Sequence, residues 1–390
     1  MIPLHAPHIS KNDIINVTKT LKSGWVSSSG KLINEFENKL SKFTGSKYCV
    51  AVSSGTSALH LALLSLGIKE NEEIIIPTIT FIAPVNAINY IGAKPIFMDV
   101  DNFLNIDSSK VIDFLENKIY LRKGNAYNKK TKKRVRAIII VHVFGNPANI
   151  EKINKICRMK NIDCIEDAAE GLGSYYVKGK YKGKHVGSIG KVGCISFNGN
   201  KIITTGAGGA IITDSKKIYS KIKYLSTQAK DDDIKYIHNE VGYNYRMPNI
   251  LAALGITQLG SIKSNLLKKR KINELYLKKF SQIENVEIFV EPEYAQSNFW
   301  LNIIRFNKSK KENFIEKITK YLNKNGIQAR PLWKPNHMQK PYLRCETFKM
   351  YNAEKYYNNC LCLPSSCNLS AKDIGYISIT IKNYLTKNHY

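Results

Sequence analysis

The chain of 390 residues has no apolar run near the roughly 18–20 residues that a bilayer-spanning helix needs. Its opening stretch, Met1 to Ser10, lacks the basic, apolar and small-residue zones of a signal peptide. Both absences set the expectation of a cytoplasmic protein with no membrane partner. There is no internal repeat and no low-complexity linker, so composition marks no sharp domain boundary. Metal-ligand spacing is also missing. Cys360, Cys362 and Cys367 are close in sequence but lack a fourth ligand, and no metal is expected. Cys49, Cys157, Cys164 and Cys194 lie in apolar runs and read as small buried hydrophobes. Acidic residues are scarce: 31 Asp and Glu stand against 59 Lys and Arg, a net charge of +28. Most of the lysines are scattered, and the one dense cluster, Lys129 to Arg136, reads as a solvated loop or hairpin. Nucleic acid is therefore not expected as a partner, whereas a basic surface favours an anionic substrate by steering.

What is present is a chain that is 43% hydrophobic, with enough apolar residues for a large core. Ser10 caps a helix carrying Ile14, Val17 and Leu21, and a second helix runs from Leu32 to Phe43. Short apolar strands then alternate with helices. Strands are predicted at 48–52, 74–76, 95–100, 137–143, 162–165, 193–197 and 209–213. Helices are predicted at 58–66, 81–91 and 150–159. This alternation predicts an α/β fold with a mostly parallel sheet covered by helices on both faces. Beyond about residue 255 the texture changes to a long basic helix (259–280), strands at 286–290 and 299–306, and helices at 311–323 and 374–385. The expected division is an N-terminal arm and large domain over 1–255 and a smaller α+β domain over 256–390.

The chemistry is carried by motifs at strand ends. Lys201 closes Cys194-Ile-Ser-Phe-Asn-Gly-Asn-Lys201, just before the glycine-rich run Thr205-Gly-Ala-Gly-Gly-Ala210. Glu166-Asp167-Ala-Ala-Glu170 follows an apolar strand. A buried lysine and a strand-end aspartate suit pyridoxal 5'-phosphate (PLP): the amine can form a Schiff base with the aldehyde, and the carboxylate can keep the ring nitrogen protonated. Ser53-Ser-Gly-Thr-Ser57 joins a strand to a helix N-terminus, where free N–H groups can cradle a phosphate; an ordinary helix cap has the same sequence. Phe81 follows another strand and can stack on a flat ring or simply fill the core. His142, also at a strand end, can touch cofactor or substrate, or can be a hydrogen-bonded core histidine. Ser196, five residues before Lys201, can reach a phosphate.

Together these segments resemble the DegT/DnrJ/EryC1/StrS family of sugar-nucleotide aminotransferases over nearly the whole chain. The resemblance runs through Gly24-Trp-Val-Ser27, Ser54-Gly-Thr-Ser-Ala-Leu59, Pro77-Thr-Ile-Thr-Phe-Ile-Ala83, Glu166-Asp-Ala-Ala169, Ile195-Ser-Phe-Asn-Gly-Asn-Lys201 and Gly242-Tyr-Asn-Tyr-Arg246. It implies the PLP-dependent fold type I of aspartate aminotransferase. It also implies that Lys201 is the Schiff-base lysine, Asp167 the pyridinium partner and Phe81 the stacking ring. Thr56, Ser57 and Ser196 become phosphate ligands, with Gly55 and Glu170 completing the cofactor contacts. Asn244 is similar to an asparagine that reaches the phosphate of a neighbouring subunit, which implies a homodimer with shared active sites.

The implied reaction moves an amino group from L-glutamate to a 4-keto sugar nucleotide, UDP- or GDP-linked, for surface or flagellar glycans. Asn198-Gly-Asn-Lys201 and Ala329-Arg-Pro-Leu-Trp-Lys334 are most similar to the branch making precursors of legionaminic-acid-type sugars. Arg330, Trp333 and His337 are candidates for the donor carboxylate or the sugar nucleotide, and Arg330 can equally be an ion-pair residue. The alternative is a sugar-nucleotide dehydratase of the same fold. Dehydrating relatives carry histidine in place of the lysine, and Lys201 argues against that outcome.

Overall fold

The computed structural model describes residues 1–232, 234–307 and 313–387. Ser10 starts the first helix, Lys11–Lys22, through a reciprocal cap: its hydroxyl accepts the Asp13 N–H, and the Asp13 carboxylate accepts the Ser10 N–H. Asp13 also accepts from the Thr257 hydroxyl and the Gln258 amide at 2.9 Å. One buried carboxylate thus fixes this helix to Asn249–Gly260. The second helix, Lys31–Thr44, stops at Gly45, whose φ of 72° is the left-handed conformation that glycine takes without strain.

The large sheet has eight strands: β1 (Tyr48–Val52), β2 (Glu73–Pro77), β3 (Lys94–Met98), β4 (Val135–Val141), β5 (Asp163–Asp167), β6 (Val192–Ser196), β7 (Gly209–Thr213) and β8 (Glu346–Phe348). Their spatial order is β1-β7-β6-β5-β4-β2-β3-β8. Only β7 runs antiparallel to its neighbours. Helices cover the sheet, and β4 reads as a continuous apolar run because both its faces are buried: Ile138, Ile139 and Ile140 are wholly inaccessible. The carboxyl ends of β1, β2, β4, β5 and β6 share one edge. Because β7 is reversed, its first residue, Gly209, lies there too, opposite Val52 and Ser196.

A second, antiparallel sheet is made by Val286–Ile288, Asn302–Phe306, Cys360–Leu363 and Arg330–Pro331. Its own core includes Ile304, Phe306, Ile318 and Ile377. Among the described residues strand pairing crosses the division at 255/256 three times: Ile2 bridges to Ile327, Ala295–Gln296 pairs with Tyr175–Tyr176, and β8 returns from the C-terminal part to pair with β3 at the edge of the large sheet. A three-residue strand leaves too little periodicity to be read from sequence.

The predicted helix 259–280 is observed as Ile262–Phe280, and a further helix not predicted, Asn249–Gly260, precedes it at a bend of 60°. At the break the Ser261 hydroxyl bonds back to the Thr257 and Gln258 carbonyls. No single helix among the described residues is long and apolar enough to cross a membrane. The predicted helix 311–323 is observed as Phe314–Lys324; its expected start at Lys311 lies outside the described residues. In the basic cluster, Arg134 pairs with Glu72 at 3.4 Å, and Arg136 pairs with Asp163 while donating to the Leu66 carbonyl. β4 begins at Val135, inside that cluster.

Candidate active site

At the shared sheet edge lies a cavity of about 330 Å³, at the small end of the ~300–1,000 Å³ range for small-molecule sites. Among its lining residues are Gly55, Thr56, Phe81, Asp167, Glu170, Ser196, Lys201 and Trp333, all anticipated from sequence. Thr80, Asn198, Asn200 and Trp300 also line it without having been assigned a role, as do Ala207 and Gly208 of the glycine-rich run beside the lysine.

One end is the N-terminus of helix Gly55–Ser65. Ser54 caps it by accepting the Ser57 N–H at 3.0 Å, leaving the first amides of the helix for an anion. Ser196, the last residue of β6, faces this end. The approach is close: a Cβ on Gly55 would stand 2.9 Å from the Ser196 Cβ, so only glycine fits. Ser57 is not part of the cavity wall. Its hydroxyl bonds to Ser53 and Ser54 at 3.0 and 2.8 Å, so it serves the cap rather than the cup.

The middle is set by β5. Asp167 is buried, and its Oδ1 accepts the Ala169 N–H at 3.0 Å. Burial pushes its carboxyl above the ordinary range, while the Ala169 N–H, Lys201 and His142 act in the opposite sense. A cation placed against Asp167 would relieve that burial. Phe81 stands at the rim, 55% exposed, with its ring 6.2 Å from that of Trp333.

The far end holds Lys201. Its Nζ lies 3.3 Å from Glu170 Oε1 and 3.9 Å from the centre of the Trp300 ring. The Trp300 indole N–H donates to the Asn200 carbonyl at 2.6 Å, locking the ring to the residue before the lysine. Glu170 Oε2 accepts the Phe144 N–H at 2.8 Å. Burial pushes the Glu170 carboxyl up to about 7 against the pull of Lys201.

Three expected contacts, His142, Arg330 and His337, lie elsewhere in this chain, and Asn244, expected at a partner's phosphate, lies outside this cavity. His142 is a fully buried core histidine and does not serve as a substrate ligand here: Nδ1 accepts the Ala148 N–H at 3.1 Å, so Nε2 carries the proton and donates to Glu166 at 3.0 Å. Glu166 faces away from the cavity. Burial alone would raise its carboxyl, but His142 and the Gly190 and Gly187 amides hold it below the ordinary range. Arg330 is exposed and, among the described residues, donates only to the neighbouring Ala329 carbonyl. His337 is tied to the Thr78 hydroxyl at 2.7 Å and to Glu354 at 3.4 Å. Asn244 is exposed and outside the cavity wall. No sequence signal singled out Trp300, because a tryptophan near a strand reads as core.

The residues present fit PLP: an anion cup, a ring to stack on, a buried carboxylate for the ring nitrogen and a primary amine, all lining one cavity. An α/β fold with this constellation defines a PLP-dependent aminotransferase. The match to known proteins agrees. The DegT/DnrJ/EryC1/StrS aminotransferase family matches residues 7–382, and the chain belongs to it. The chain is 35% identical to a GDP-perosamine synthase of Escherichia coli O157:H7, over 98% of each chain. It is 32% identical to a UDP-4-amino-4,6-dideoxy-N-acetyl-beta-L-altrosamine transaminase of Campylobacter jejuni, over 99% of this chain and 98% of the other. The Streptococcus pneumoniae protein Spr1654, solved in its PLP form, superposes with a TM-score of 0.87 at 25% identity, over 99% of each chain.

Proposed function

We propose that this sugar-nucleotide aminotransferase takes the amino group of L-glutamate and places it on the 4-keto carbon of a UDP- or GDP-linked deoxy sugar. The products are a 4-amino sugar nucleotide and 2-oxoglutarate. The observation that carries the reading is the sharing of one cavity by the Lys201 amine, the buried Asp167 carboxylate and the amide end of helix Gly55–Ser65. The 4-keto acceptor is supported by the relatives above, whose names specify GDP- and UDP-linked amino sugars.

Bound PLP supplies an electrophilic aldehyde and an electron-withdrawing ring. Gly55, Thr56 and Ser196 hold its phosphate, and Phe81 offers a stacking face. Asp167 keeps a proton at the ring nitrogen. Lys201 Nζ, once free, takes the proton from the donor α-carbon and in the second half-reaction returns one to the sugar carbon. Glu170 orients that amine and, with its carboxyl near neutrality, can exchange a proton with it.

The enzyme works as a homodimer in the cytoplasm, in glycan biosynthesis of the legionaminic-acid type. Support for the dimer comes from apolar side chains left exposed on one chain: Ile14, Ile15 and Leu21 on the first helix, and Trp25 after it. Asn244, exposed and away from its own chain's cavity, is free to complete the partner's site. The test offers a panel of 4-keto sugar nucleotides with L-glutamate and identifies products by mass spectrometry and NMR. Loss of the sugar carbonyl without 2-oxoglutarate release would replace transamination by dehydration.

A further inference from the structure

The N-terminal strap, residues 2–8, is laced into the molecule by hydrogen bonds at both of its ends. The Ile2 N–H donates to the Gly326 carbonyl at 2.7 Å, and the Gln328 N–H to the Ile2 carbonyl at 2.9 Å. Leu4 is held by the Gln328 side chain at 2.9 Å and by the Ser365 N–H at 2.7 Å. Ala6 donates to the Ser366 hydroxyl at 2.8 Å, and the His8 carbonyl accepts from Gln258 at 2.8 Å. Between Leu4 and Ala6, both pinned, stands His5, its ring centre 6.5 Å from that of Trp300. Among the described residues neither His5 nitrogen has a hydrogen-bond partner, and both are shut off from solvent. Orphaned buried polar atoms are rare because each loses its hydration for nothing.

The surroundings are cationic. Lys269 is wholly buried and donates to the carbonyls of Trp300, at 2.7 Å, and Ser365. Among the described residues no carboxylate lies within ion-pair distance of it. Burial pushes its amine down to about 7. Burial first, then Lys269 and Lys201, push the His5 imidazole well below its ordinary value, so it is neutral, with one N–H to give and one lone pair to accept. The Lys201 amine over the Trp300 ring and an imidazole N–H beside that ring make a place for negative charge, with Lys269 behind them on the Trp300 carbonyl.

We propose that His5 is a substrate-binding residue which receives an oxyanion of the substrate beside Trp300 and Lys201, and that this oxyanion is the carboxylate of the amino donor. The assignment rests on the aminotransferase reading above. A donor carboxylate is two bonds from the nitrogen that reacts and must lie near Lys201. The diphosphate of a sugar nucleotide, on the far side of the sugar ring from carbon 4, is carried away from it.

The test uses the PLP-loaded enzyme with His5→Phe, which keeps a ring against Trp300 but removes both nitrogens, and His5→Gln, which keeps a donor and an acceptor. Maleate, a dicarboxylate that cannot react, is titrated calorimetrically, and KM is measured for L-glutamate and for the keto sugar nucleotide. In His5→Phe the maleate Kd and the glutamate KM should rise about tenfold or more. The sugar-nucleotide KM should stay within about twofold, and Tm should equal or exceed that of the wild type, since two unsatisfied atoms are gone. His5→Gln should recover most of the loss. Unchanged maleate binding in His5→Phe overturns the proposal, and a selective loss of sugar-nucleotide affinity overturns the donor assignment in favour of the diphosphate. If His5→Phe does not fold, His5→Ala read by the same titration decides. Should the wild type ignore glutamate, the donor reading fails, whereas the maleate titration still reports on His5.

Discussion

The amine of Lys201 rests 3.9 Å above the Trp300 ring, and the same ring is fastened through its N–H to the carbonyl of Asn200. Tryptophan therefore serves as a seat for the reacting lysine, set by a bond to the lysine's own neighbour. An ammonium over an indole face is worth about 0.5–2 kcal/mol, depending on its desolvation. Trp300→Leu should lower kcat/KM by roughly 2- to 30-fold. Trp300→Phe, which keeps an aromatic face but loses the N–H, should fall between. Steady-state kinetics on all three proteins checks the order; a Trp300→Leu enzyme of wild-type efficiency removes the seat from the mechanism.

Glu170 gives a pH dependence with a definite sign. Its carboxyl sits at about 7 in the folded chain against 4.5 ordinarily, burial being the main cause. Between those values the folded chain keeps a proton that the unfolded chain has lost. The stability tied to that proton is complete below pH 4.5 and is lost as pH rises through about 7. Glu170→Gln is neutral at every pH. The Tm of this variant relative to wild type, measured without substrates, should therefore climb from pH 4.5 to about 8 and then level off. A flat difference across that window means that Glu170 ionises as an ordinary surface carboxylate does.

Gly55 and Ser196 test the anion cup. A methyl group on residue 55 must displace Ser196 or the start of the helix, because the added Cβ would stand 2.9 Å from the Ser196 Cβ. Overpacking of this kind typically costs ~1–3 kcal/mol. In Gly55→Ala it should appear as a roughly 5- to 150-fold weaker hold on PLP. Dialysis followed by absorbance titration with added PLP measures it. Ser196→Ala should weaken binding without the steric cost, and so by less.

Much of this site could be read from the chain because strand ends in a parallel sheet leave a strong local signature. β1 and β7 were bounded to the residue, and Ser54 to Thr56, Asp167, Ser196 and Lys201 each follow or end an apolar run. What escaped depends on distance in sequence. Trp300 comes from a segment 99 positions after Lys201, and β8 joins the large sheet 248 positions after its partner β3. His142 misled for a related reason. Its place after β4 is right for a ligand-edge residue, but its ring turns inward to Glu166, a choice fixed by side-chain partners that sequence periodicity does not encode. Arg330 similarly stands on a strand of the small sheet, and its guanidinium is exposed outside the cavity wall.

Subunit mixing decides whether the sites are shared. Lys201→Ala removes the amine that acts as base and should cost at least about 10²–10⁴ in turnover, together with the visible absorbance of the linked cofactor. Asn244→Ala leaves Lys201 in place. If Asn244 reaches the partner's cofactor phosphate, this variant should bind PLP more weakly and lose activity at limiting PLP. In a mixed dimer, one site pairs the intact Lys201 of the Asn244→Ala chain with the intact Asn244 of the Lys201→Ala chain. The other site lacks both. Random exchange of equal amounts makes about half of the dimers mixed, so roughly a quarter of all sites should regain wild-type affinity for PLP. Mixing the two purified variants, allowing exchange and assaying at limiting PLP measures that fraction. Activity equal to the sum of the separate variants would mean that each chain builds its site alone, and the exposed Asn244 would then have to be explained by something other than a neighbouring phosphate.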